Sequence, residues 1–89
     1  MLVRLIEIHR PPGDRVHLDE IYVNGQAVTS IRPEGDSQMI SEAVELGVSP
    51  EANFSRLTLN EGGAARTVIV VGSPVEIKNK LGIRNLLKG

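Results

Sequence analysis

The chain of 89 residues has no cysteine and no tryptophan, and its only aromatic side chains are Tyr22 and Phe54. The missing thiols exclude a disulfide framework and any thiolate metal site, a composition at home in a reducing cytoplasm. Long apolar runs are missing too. The opening stretch Met1 to Ile8 is broken by Arg4 and Glu7, and the longest aliphatic run, Val68-Ile69-Val70-Val71, is far too short to cross a bilayer or act as a signal peptide. A surplus of either charge is also lacking: ten Lys and Arg face eleven Asp and Glu. A tight duplex binder needs a basic footprint over the whole domain, and the composition does not supply one. The expectation is a soluble, cytoplasmic protein without a membrane partner, whose thin core leaves no room for an enclosed active site.

What is present is organised around Phe54 to Gly82. Ala65-Arg66-Thr67-Val68-Ile69-Val70-Val71 is rich in β-branched residues and reads as a strand covered on both faces. Phe54-Ser55-Arg56-Leu57-Thr58-Leu59 alternates, with Leu57 and Leu59 on one face. Gly62 and Gly63 between them accept positive φ, which favours an antiparallel hairpin. After Gly72 the grammar becomes helical. Ser73 is an N-cap, Pro74 occupies the first helical position, Glu76 completes a capping box and Gly82 is the stop. This predicts a helix over 74–81 that lays Ile77 and Leu81 on the sheet.

Earlier in the chain, Leu2 to Ile8 reads as a strand whose alternation slips between Leu5 and Ile6. His9 to Asp14 forms a turn around Pro11, Pro12 and Gly13, and Arg15 to Asn24 forms a second strand whose apolar parity switches at Asp19-Glu20. Both irregularities are expected to be bends or bulges. Asn24-Gly25 is a type I′ hairpin signal, and the third strand then runs over Gln26 to Arg32 with Ala27, Thr29 and Ile31 on one face. SQMISEAVELG keeps helical spacing through Met39, Ile40, Ala43 and Val44. Charge is segregated: from Glu34 to Glu51 every charged residue is acidic, and after Glu76 every one is basic. Solubility with self-association explains this pattern, and an anion-seeking tail is the alternative.

The expected fold class is therefore mainly β: a five-stranded, strongly bent antiparallel sheet or small open barrel. A short helix lies between strands three and four, and a C-terminal helix follows strand five. Residues 1–82 form the single domain and 83–89 a basic tail. Five short strands leave edges, and the same edge of another copy is the simplest cover, which closes into a ring when the rotation permits.

That layout resembles the Sm-like family of ring-forming RNA-binding proteins. The opening LVRLIEI, the IYVN segment and the VVGSP cap also look like those of small marine cyanophage proteins. The resemblance implies a homo-oligomeric ring in the cytoplasm of a bacterial host, binding single-stranded RNA or DNA through two pore-side loops. Those loops fall on Asn24-Gly25-Gln26 and on Asn60 to Arg66. The nucleic-acid-binding residues so implied are Tyr22, Asn24, Gln26, Asn60 and Arg66.

Two of these have a structural alternative. Tyr22 stacks a base or is a half-buried edge residue; Arg66 meets a phosphate or pairs with Glu61 across the turn. His9 and His17 have no carboxylate at a metal-ligand spacing, so no metal, cofactor or catalytic residue is expected and the protein is read as no enzyme. A phage-encoded adaptor to a host protein and a small-nucleotide binder are the competing functions.

Overall fold

The computed structural model describes residues 2–82. The tail 83–89, expected as a separate basic segment, lies outside the described residues. The order is β1 (Leu2–His9), β2 (His17–Asn24), a short 3-10 turn (Gly25–Ala27), β3 (Val28–Pro33), α1 (Ser37–Glu45), β4 (Phe54–Glu61), β5 (Ala64–Val71) and α2 (Pro74–Leu81). All pairings are antiparallel, and the single unclosed sheet has the order β2-β1-β5-β4-β3.

The β4–β5 hairpin forms where the glycines predicted it. Glu61 pairs with Ala64, and Gly62 and Gly63 supply both central positions at φ +62° and +84°. The α2 bounds and caps also follow the sequence. Ser73 accepts from the Glu76 amide at 3.2 Å, the Glu76 carboxylate accepts from the Ser73 amide at 3.1 Å, and Gly82 closes the helix in the left-handed region.

Three expectations are corrected. Asn24-Gly25 is not a β-hairpin turn: the Asn24 side chain accepts from the Gln26 amide at 3.0 Å and caps a 3-10 turn, and β2 and β3 do not pair. The competing Asx geometry wins because the two strands do not turn back on each other but become the two margins of the sheet. Neither β1 nor β2 is bulged, since their register runs unbroken from Leu2↔Asn24 to His9↔His17. The one register shift among the described strands lies in β3 between Val28 and Ser30, and it turns both Val28 and Ile31 into the same core, against the alternation expected from sequence.

The parity slips have a different cause. Each face of the sheet is covered, but over different lengths of the strands. On the inner face Leu5, Val23, Val28, Leu57, Leu59, Val68 and Val70 pack with Ile77 of α2. On the outer face Ile8, Val16 and Phe54 pack with Ala43 of α1. One strand thus sends Leu5 inward and Ile8 outward with no break in its ladder. Val23 and Val28, from the two margins, enter one cluster, so the sheet is curled around its inner face.

The joint between β5 and α2 is tightly built. Gly72 sits at φ +130°, donates its amide to the Asn53 carbonyl at 2.7 Å, and accepts on its carbonyl from the buried Ser55 hydroxyl at 2.6 Å. A Cβ at Gly72 would stand 2.8 Å from Cδ1 of fully buried Ile77. Gly72→Ala is therefore expected to lower stability by about 2–4 kcal/mol through combined strain and overpacking, and Ser55→Ala by about 1–2 kcal/mol. Gly35→Ala, with open space around its Cα, should stay within about 0.5 kcal/mol of the parent. Urea titrations of the three variants check the ranking.

Candidate functional site

The residues implied by sequence do not gather at one place. Tyr22 alternates with Ile21 and Val23, which face the inner core, so it stands on the outer face opposite Arg4, 58% exposed. Asn60 alternates with Leu59 and shares that outer parity, whereas Arg66 pairs with Leu59 and belongs to the inner one. Arg66 is exposed, and its Nε lies 3.4 Å from Glu61 across the hairpin turn. Of its two readings the ion pair is the one the geometry forms. The oxygen of the Asn24 amide is engaged in its own cap, and Gln26 lies within the 3-10 turn.

Around Tyr22 the outer face carries a small polar network. Arg4 Nε donates to Glu20 at 2.8 Å and the Tyr22 hydroxyl donates to the same carboxylate at 3.1 Å. The hydrogen bond from Arg4, and then that from Tyr22, holds the Glu20 carboxyl below its ordinary value. Leu2, also exposed, is two residues along on the same face, which leaves the Tyr22 ring at the border of an apolar and a charged surface.

Sequence reasoning missed two features. The first is a groove of about 590 Å³ on the outer face, between β2 and the segment that follows α1. Ile6, Leu18, Leu46, Val48 and Val71 form its apolar wall, and Asp19 and Glu20 its acidic rim. The half-exposed Leu46 was legible only as the end of a helical pattern, with nothing in the sequence to place it beside Leu18. The second is the placement of Arg32, which the sequence reads, like Arg56, as an ordinary solvated or intersubunit charge near a strand end: it stands on the outer parity of β3 opposite Arg56. Among the described residues Arg32, Lys78 and Lys80 form no ion pair, while Arg4, Arg10, Arg15, Arg56 and Arg66 each meet a carboxylate.

The acidic segment is largely spent inside the molecule. Glu42 accepts from the Val16 amide at 2.9 Å and from Arg10 at 2.8 Å, Glu45 pairs with Arg15, and Glu34 holds Arg56 at 2.6 Å. His9 and His17 are cross-strand partners, and His17 lies 3.2 Å from Asp14. No group of three or more His, Cys, Asp or Glu side chains among the described residues converges into a metal site. No described helix is long and apolar enough to cross a membrane.

No protein-family model, curated protein or solved structure matches this chain.

Glu42 fastens the β1–β2 connection to α1, and its ionisation contributes to behaviour in acid. The Val16 amide, and secondarily Arg10 and Arg15, hold its carboxyl below the ordinary 4.5 despite opposing desolvation. The folded value therefore lies below the unfolded one. Stability contributed by this carboxylate is complete above the ordinary glutamate range and is lost as pH falls through the lowered folded value. The unfolding temperature is expected to hold from about pH 7 to pH 5 and to decline below it. Glu42→Gln should start lower at neutral pH and decline less steeply, as thermal melts followed by circular dichroism would show.

Proposed function

We propose that the protein is a non-enzymatic subunit that assembles through its two free sheet edges, in the manner of Sm-like rings, and that the assembly binds single-stranded nucleic acid. The observation that carries this reading is the pair of margins: among the described strands β2 and β3 each have a partner on one side only. The edges are also unlike in charge. β2 carries Asp19 and Glu20, and β3 carries Arg32, which forms no ion pair among the described residues. Opposite charges favour a head-to-tail contact of β2 against β3 of the next copy over pairing of like edges, and head-to-tail contacts generate rings.

Edge-to-edge pairing preserves which side of the sheet a residue stands on. It would bring Tyr22 and Glu20 of one copy beside Arg32 of the next, on one continuous outer surface with Asn60. An exposed aromatic ring next to an unpaired guanidinium is the combination that takes up single strands, by stacking on the base and meeting the phosphate. Arg66, inward in parity and paired with Glu61, drops out of the contact surface. Arg32 takes its place.

Light scattering should give a molar mass that is a multiple of the subunit, and Arg32→Glu should shift it toward one subunit. With fluorescently labelled oligonucleotides, Tyr22→Ala is expected to weaken binding roughly 5- to 100-fold, and affinity should fall steeply with added salt. Arg66→Ala should leave it within about twofold of the parent, as an exposed turn pair warrants. A single-subunit mass at every concentration tested, or binding that ignores salt, would refute the reading.

A further inference from the structure

Side chains of the edge strand β2 fall on two sides of the sheet. Ile21 and Val23 pack on the inner cluster and Leu18 on the outer one, so Asp19 shares the inner side with Ile21, and Glu20 shares the outer side with Leu18. The two carboxylates are not in the same state. Glu20 is held by Arg4 and by the Tyr22 hydroxyl. Asp19 stands directly across the ladder from Glu7, whose other cross-strand partner is the buried Val70, and neither carboxylate forms an ion pair among the described residues. Two acids in register repel each other, and a cation beside them relieves the repulsion.

Assembly through β3 does not bring that cation. Pairing at an edge keeps each residue on its own side, and β3 carries Arg32 on the outer side with Val28 and Ile31 on the inner one. Arg32 of a second copy therefore meets Glu20 and leaves Asp19 and Glu7 as they were. What this edge lacks is a strand with its cation on the inner side and aliphatic residues on the outer side, where Leu18 and Leu46 border the groove.

The backbone of β2 is suited to take one. It is eight residues long, holds no proline and keeps an unbroken register with β1, so its outward amides and carbonyls form a regular template for one more strand. Acids on such an edge ordinarily repel other strands, and the same charge selects a partner that carries the opposite one.

We propose that the β2 edge binds an extended segment of another protein, added as one more strand, with a lysine or arginine opposite Asp19 on the inner side and aliphatic side chains flanking it on the outer side beside the groove. The partner is a basic segment of alternating pattern, neither acidic nor helical. The inference concerns the edge that the proposed function uses for assembly but does not rest on assembly: the segment and β3 contest this edge, and a subunit that never assembles carries the same site.

The probe is a fluorescein-labelled peptide, Ile-Thr-Val-Lys-Val-Thr-Ile, which reads the same in both directions and so offers its lysine to Asp19 in either strand orientation. By anisotropy it should bind the full chain carrying Arg32→Glu, in which the β3 edge no longer competes. Exchanging the peptide's lysine for glutamate should weaken binding roughly fivefold or more, and Asp19→Lys in the protein should invert that preference. In NMR amide exchange the peptide should protect the β2 amides that do not bond to β1 and leave those of β3 unchanged. No binding to the Arg32→Glu chain, equal affinity for the two peptides, or protection on β3 instead of β2 would overturn the proposal. Assembly is read separately, by light scattering on the parent chain without peptide. A single-subunit mass with the peptide bound to β2 refutes the ring and supports this site; an assembled mass with no peptide binding does the reverse.

Discussion

Two residue pairs join the halves of this sheet. β1 meets β5 only at Glu7↔Val70 and Ile8↔Ile69, whereas β1–β2 and β4–β5 are each paired along their full length. So short a ladder cannot hold a sheet together by its hydrogen bonds, because each contributes only about 1 kcal/mol net. What holds it is that side chains at the seam are buried on alternate faces: Val70 enters the inner cluster, while Ile8 and Ile69 enter the outer one. The two helices therefore close the joint as much as they cap the faces. α2 covers the inner side with Ile77 and α1 the outer side with Ala43, both fully buried. The Gly72 turn matters for the same reason, since it brings α2 back under the strand it has just left.

This two-sided packing also explains which parts of the fold were legible. Helix caps are local chemistry, and Ser73, Pro74, Glu76 and Gly82 specify α2 within their own few residues. The Gly62-Gly63 turn is equally local. By contrast the parity changes in β1 and β2 look like bulges when one buried face is assumed, and only the tertiary arrangement reveals that Leu5 and Ile8 serve different cores. Asn24-Gly25 misled for a related reason. Its side chain supports either a hairpin or a cap, and the choice depends on whether the next strand returns along the first, which no local signal states. The β3 irregularity at Thr29 had no sequence mark at all. Tyr22 could be singled out because aromatics are so few, but its exposure, where a half-buried edge position was expected, could not be read, and neither could the groove, built from segments far apart in the chain.

Charge shows the same division between local and assembled information. A run of acids from Glu34 to Glu51 reads as a solvated or associating face, but Glu34, Glu42 and Glu45 are drawn into ion pairs by cations from other elements. Glu42 satisfies a backbone amide as well as two arginines, so it fixes the position of a connection and is not a spare surface charge. With most arginines so engaged, net charge says little about available charge. Among the described residues, the charged groups that form no ion pair include Arg32 on one margin, Lys78 and Lys80 on α2, and Asp19 with Glu7 at the other margin.

A sheet that stays open keeps a distinction that a closed barrel would erase. Closure would bring β2 against β3 within one molecule and cancel Asp19 and Glu20 against Arg32; the 3-10 turn at Gly25–Ala27 instead hands the chain from one margin to the other without pairing them. Each margin is then obliged to find its hydrogen-bond partners in water, in another copy or in another segment of the chain, and its charge determines which of these competes best.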